Sequence, residues 1–106
     1  MSISSFARAC CECLDLKWDE ITSTNRRADL VAARFAISYT LIRREKKTYK
    51  VVGQLFNRDH SSVVHGVRSW TNLLTVHDDH AWRVQQIVNM VYHNHLIFRH
   101  GEQETA

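Results

Sequence analysis

Proline is absent from this chain of 106 residues, and it holds only three glycines and three cysteines. Without proline nothing interrupts a helix from within, and no internal repeat or low-complexity tract is found. No apolar run approaches the roughly 18 residues that span a bilayer, so no membrane partner is expected. The N-terminus, Met1-Ser2-Ile3-Ser4-Ser5-Phe6, lacks the basic region and apolar stretch of a secretory signal, which predicts a cytoplasmic protein. Cys10, Cys11 and Cys13 crowd into four positions. Their odd number cannot build a disulfide framework, and there is no second pair for them to meet around zinc. Reduced thiols and no metal are expected, with the cysteines in the core.

What is present is ordinary globular composition, 44% hydrophobic and 24% charged, in a length that suits one domain over residues 1–106. The formal net charge is only +3, but it is segregated. Residues 26 to 58 hold nine cations, Arg26, Arg27, Arg34, Arg43, Arg44, Lys46, Lys47, Lys50 and Arg58, against Asp29 and Glu45. Both flanks are net acidic. Such a block is the footprint of a polyanion-binding face or, more simply, of a solvated one.

Apolar residues recur mostly at helical intervals, which predicts an all-α fold. A first helix capped by Ser4 or Ser5 should bury Phe6, Ala9, Cys10, Cys13 and Leu14. A short turn, residues 17–21, should lead into the polar loop Thr22-Ser23-Thr24-Asn25-Arg26-Arg27. From about Ala28 to Arg44, Leu30, Ala33, Ile37 and Leu41 share one face of a long helix. Thr48 can cap a short helix containing Val51, Val52, Leu55 and Phe56, with Gly53 where a side chain would obstruct a neighbour. Asn57-Arg58 suits a tight turn, and Asp59 can cap a helix whose Val63, Val67, Trp70 and Leu74 form a clean stripe. A last helix from about Asp79 to Phe98 should bury some of Trp82, Val88, Val91, Tyr92 and Leu96, with a frayed tail from residue 99. The core then covers about residues 5–98.

Two short helices joined tightly and braced by a longer one make a helix-turn-helix, which lays its second helix in the major groove of duplex DNA. The first turn of that helix carries Arg58, Asp59, His60, Ser61 and Ser62, side chains with donors and acceptors close to the backbone. Its free N–H groups and positive dipole end also favour a phosphate. Each residue has a plainer reading, since Asp59 is an ordinary N-cap and His60 an ordinary surface residue. It is the convergence of cap, stripe, basic block and helix order that points to DNA.

The stretch from Val52 to His65, VGQLFNRDHSSVVH, resembles the signature of the C-terminal DNA-binding domain of the bacterial replication initiator DnaA. The likeness extends upstream through Arg26-Arg27 and Arg34, covering roughly residues 5 to 98. It implies a compact multi-helix bundle in a Trp-repressor-like arrangement, binding a DnaA-box-like duplex in replication-origin binding or its regulation. Base contacts are implied for Arg26 in the minor groove and for Asp59, His60 and Ser61 in the major groove. Phosphate contacts are implied for Arg27, Arg34, Lys47, Thr48, Tyr49, Lys50, Arg58 and Ser62. The chain departs from the family at Asn57, where two glycines are common. It also departs at Ser61 and Ser62, often threonine, and at Tyr49-Lys50, often leucine-proline. No G-x-x-x-x-G-K-[ST] loop occurs, so no nucleotide or other cofactor is expected.

Two rivals stand beside this reading. The seven histidines show no ligand spacing tied to a second cluster, so an enzyme is not expected. A protein-interaction or transcription-regulatory module draws on Trp82, Met90, Tyr92, Ile97 and Phe98, more apolar positions than one buried stripe needs. Those residues would serve a homodimer seam or contact with a replication protein.

Overall fold

The computed structural model describes the backbone of residues 2–105 and the side chains of residues 2–96. Six helices follow in order: α1 (Ile3–Cys13), α2 (Trp18–Ile21), α3 (Ala28–Arg43), α4 (Tyr49–Phe56), α5 (His60–Thr75) and α6 (Asp79–Thr105), with no strand among the described residues. The all-α prediction therefore holds. Ile97, Phe98 and the tail expected to fray lie outside the described side chains.

Helix α3 is the central brace, packed on α1, α5 and α6. Its predicted face is correct, with Leu30, Ala33, Ile37 and Leu41 all buried. The interior also contains a polar relay between helices. Trp70 Nε1 donates to Gln85 Oε1 at 2.8 Å, and Gln85 Nε2 donates to Thr40 Oγ1 at 2.9 Å and to Asn89 Oδ1 at 2.8 Å. Every bond satisfies a buried polar group, so the relay ties α3, α5 and α6 in one arrangement.

Helix α1 starts earlier than its serines suggested. Ser2 accepts from the Ser5 N–H, so the buried set is Phe6, Ala7, Cys10 and Cys11. Cys13 is exposed, against the expectation that it was core. Burial pushes the Cys10 thiol up and that of Cys11 to about 11, which keeps both protonated and poorly nucleophilic. The turn expected at 17–21 is the single helical turn α2. On α6, Ala81, Val84, Val88, Val91 and Tyr92 are buried, while Trp82 lies outward, donating to the Leu74 carbonyl and stacked on His77.

Four helix ends use a left-handed residue, and none of them is glycine: Asp15, Lys46, Asn57 and His77 all have φ near +57 to +60°. The glycines are used elsewhere, because Gly53 and Gly66 lie inside helices at close approaches. A Cβ on Gly66 would meet the Phe35 ring at 2.7 Å, and one on Gly53 would meet the Arg58 carbonyl oxygen at 2.5 Å.

Candidate nucleic-acid interface

The tight turn between α4 and α5 is set by three local features. Thr48 caps α4 by accepting from the Val51 N–H, and Asn57 closes it in the left-handed region at φ 57°. The Arg58 N–H then bonds the Gly53 carbonyl at 2.8 Å, a closure that brings the turn's backbone against the α-carbon of Gly53. Asp59 caps α5 through the Ser62 N–H at 2.8 Å. Asn57, a single left-handed residue, makes the turn where the family commonly has two glycines.

This geometry exposes Asp59, His60, Ser61 and Ser62 together at the start of α5. The hydrogen bond from the Ser62 backbone holds the Asp59 carboxyl below its ordinary value of 3.8. A depressed carboxyl contributes stability above that ordinary value, and the contribution is lost as pH falls through the folded value. The gap in melting temperature between the native chain and Asp59→Ala should therefore be wide at neutral pH and narrow as pH falls below 3.8 through the depressed folded value. A gap that does not change down to pH 2.5 would mean that the capping bond does not depend on the charge.

The arginine loop preceding α3 has no apolar anchor, and buried guanidinium chemistry holds it instead. Arg34 is only 7% exposed. Its Nε donates to the Ile21 carbonyl at 2.6 Å, and its Nη2 reaches the carbonyls of Asn25 at 2.7 Å, Glu20 at 3.2 Å and Ser23 at 3.4 Å. Arg34 was expected at a phosphate; the structure gives it this internal task. Burial, and then the neighbouring Arg58 charge, lowers its pKa from the ordinary value. Within the loop, Asn25 accepts from the Arg27 N–H at 2.9 Å and Ser23 Oγ from the Asn25 N–H at 3.1 Å. Arg27 is exposed but paired with Glu20 at 3.0 Å and Asp29 at 2.7 Å. Arg26 is exposed and has no such pairing.

Arg58 links the two elements, since its Nη2 donates to the Ser23 carbonyl at 2.6 Å from the residue just before the Asp59 cap. The loop that carries Arg26 and the first turn of α5 are thus tied directly. Thr48 and Lys50 are exposed, and Lys47 and Tyr49 are half-buried, around the start of α4. Sequence reasoning overlooked two residues on this face, His65 and Arg68, which continue the exposed row of Ser61 along α5. Their spacing of four and seven residues from Ser61 was the available signal. The holding task of Arg34 was also overlooked, although an arginine in the row Leu30, Arg34, Ile37, Leu41 is unusual enough to mark it.

A tight two-helix unit with polar groups at the second helix's first turn, beside a fixed arginine loop, defines a DNA-binding helix-turn-helix protein. The model of the family described as "Bacterial dnaA protein helix-turn-helix" matches residues 3–69, and the chain belongs to that family. It is 27% identical over 94 residues to the chromosomal replication initiator protein DnaA of Oleidesulfovibrio alaskensis, covering 89% of this chain and 20% of that protein. It is 31% identical over 68 residues to the protein of the same name in Mycoplasma pneumoniae, covering 64% of this chain and 16% of that one. The chain thus spans a fifth or less of the length of these relatives.

Proposed function

We propose that this chain recognises a DnaA-box-like duplex site, with the first turn of α5 in the major groove and Arg26 in the adjacent minor groove, in origin binding or its regulation. The observation that carries the reading is the Arg58 bond to the Ser23 carbonyl. It joins the two elements that would enter neighbouring grooves, so both meet DNA as one prearranged body with less ordering on binding. Asp59, His60 and Ser61 then face base edges, where His and Ser bond acceptors and Asp accepts from a cytosine amino group. Arg27, Lys47, Lys50, Ser62, the free N–H groups at Thr48 and Tyr49, and the remaining N–H groups of Arg58 position the duplex through phosphates.

Fluorescence anisotropy with a box-bearing and a scrambled duplex across a salt series tests this. A preference of at least about tenfold that persists as salt rises is expected, and equal, salt-sensitive binding would refute sequence readout. Two variants separate the roles. His60→Ala should cost about 1–3 kcal/mol on the box and relax preference at one or two base pairs. Lys50→Ala should weaken all duplexes alike and flatten the salt slope by about one. Equal effects of both on every duplex would overturn the assignment of roles.

A second reading, a partner or dimer surface on α6, draws support from Trp82 at 38% and Met90 at 54% exposure. Tyr92, once a candidate for that surface, is buried against Phe6 and donates to Glu45 at 2.7 Å.

A further inference from the structure

We propose that the cleft enclosed by α3, the arginine loop and the start of α5 binds a small organic anion with an apolar body, such as an aromatic carboxylate. The cleft holds about 280 Å³, near the lower end of small-ligand pockets. Val31, Phe35, Phe56 and Val63 give it apolar walls, and no acidic side chain lines it.

Two polar side chains in the lining are more than nine-tenths buried and have unused hydrogen-bonding capacity. Ser38 is 5% exposed, and its hydroxyl makes no hydrogen bond within the protein, not even the usual return to the carbonyl one turn earlier. Arg34, one turn before it on α3, directs Nε and Nη2 to loop carbonyls and leaves Nη1 without a protein partner. Neither atom is sealed off, and the open space beside both residues is the cleft. A buried cation and a buried hydroxyl four residues apart on one helix face suit a carboxylate, with one oxygen for each. The apolar walls suit a ring or branched chain; a sugar-phosphate backbone would gain little from covering Phe35 and Phe56.

Room for the ring depends on Gly66. Phe35 packs where a Cβ at residue 66 would stand, so the glycine lets Phe35 lie back against α5 and edge-on to Trp70. Arg26 and Ser62 stand on the rim. If the DNA reading is right, an occupied cleft alters DNA affinity, and by linkage DNA alters affinity for the anion to the same degree.

The site itself is tested without DNA, so its failure is distinct from failure of the DNA reading. Phenylacetate is titrated into the full chain while backbone amides and arginine Nε resonances are followed by NMR, with uncharged phenylacetamide as the control. Saturable shifts are expected in the millimolar range at Phe35, Ser38, Gly66 and the Arg34 Nε. Phenylacetamide should bind at least about tenfold more weakly, and Ser38→Ala, a helix-compatible change, should weaken phenylacetate about threefold to tenfold. Absence of saturable shifts, an equal response to phenylacetamide, or shifts confined to the exposed lysines would overturn the proposal. A DNA duplex giving the Ser38-dependent shifts where phenylacetate gives none would also overturn it, since the cleft would then seat the DNA backbone.

Discussion

Gly53→Ala is expected to lower the stability of the chain by about 3 kcal/mol and to abolish selective DNA binding. The added Cβ would stand 2.5 Å from the Arg58 carbonyl oxygen. That atom belongs to the backbone of a three-residue turn whose ends are fixed by the Asn57 closure and the Asp59 cap, so it has no rotamer to escape into. Overpacking against rigid surroundings costs about 1–3 kcal/mol, and loss of the Arg58 N–H bond to the Gly53 carbonyl adds to it. The gain in helix propensity from glycine to alanine, about 1 kcal/mol, offsets only part of this. Urea unfolding gives the first number and anisotropy with the box duplex the second. Full stability in the variant would show that the turn yields, and the role given to Gly53 would fail. Gly66→Ala provides a contrast, because there the obstructing atoms are those of the half-buried Phe35 ring, which can swing toward the cleft. Its cost should be clearly smaller.

Arg34→Met is the second large effect. Methionine matches the aliphatic stem but leaves the carbonyls of Ile21 and Asn25 without their donor, while that of Ser23 keeps Arg58 and that of Glu20 keeps the hydroxyl and N–H of Ser23. Leaving part-buried acceptors unsatisfied costs about 1–3 kcal/mol apiece where water cannot reach them, and solvent will recover some of these, so a loss of about 2–4 kcal/mol is expected. The informative readout is the salt dependence of DNA binding. A residue that contacts a phosphate reduces the slope by about one when its charge is removed, whereas a residue that only shapes the loop leaves the slope unchanged and lowers affinity for the box. An unchanged slope with weaker box binding is expected. A slope reduced by one, with the amide signals of residues 22–27 undisturbed, would return Arg34 to the phosphate role.

Much of the fold was legible because its signals are local. Thr48 and Asp59 precede apolar stripes by the spacing a cap requires, and both cap α4 and α5 as read. The Val63, Val67 and Trp70 stripe is buried, with Leu74 packed at its margin. Elsewhere local chemistry was ambiguous. Ser2, Ser4 and Ser5 are equally good caps, and the choice of Ser2 follows from the face of α1 that brings Phe6 edge-on to Tyr92 and His95 at the far end of the sequence. Trp82 looked like core by type. The geometry of α6 instead turns Ala81 and Val84 inward, and the indole N–H reaches the Leu74 carbonyl in the last turn of α5.

The candidate site divides along the same line. Arg26 and the Asp59-to-Ser62 turn were readable, because a polar loop and the first turn of a helix advertise themselves by residue type. The tasks of Arg34 and Arg58 were not, because each donates to carbonyls between 9 and 35 residues away that no sequence pattern marks. By itself the sequence determined the helical class, the order of the helices, the helix-turn-helix and the family, since caps, turns and apolar periodicity act within one or two turns of chain. Tertiary structure decided which face of α1 is buried, how the arginine loop is held to the recognition helix, and that a cleft with unused buried polar groups lies between them. Those outcomes depend on contacts between residues far apart in the chain, whose energies exist only once α3 has brought the elements together.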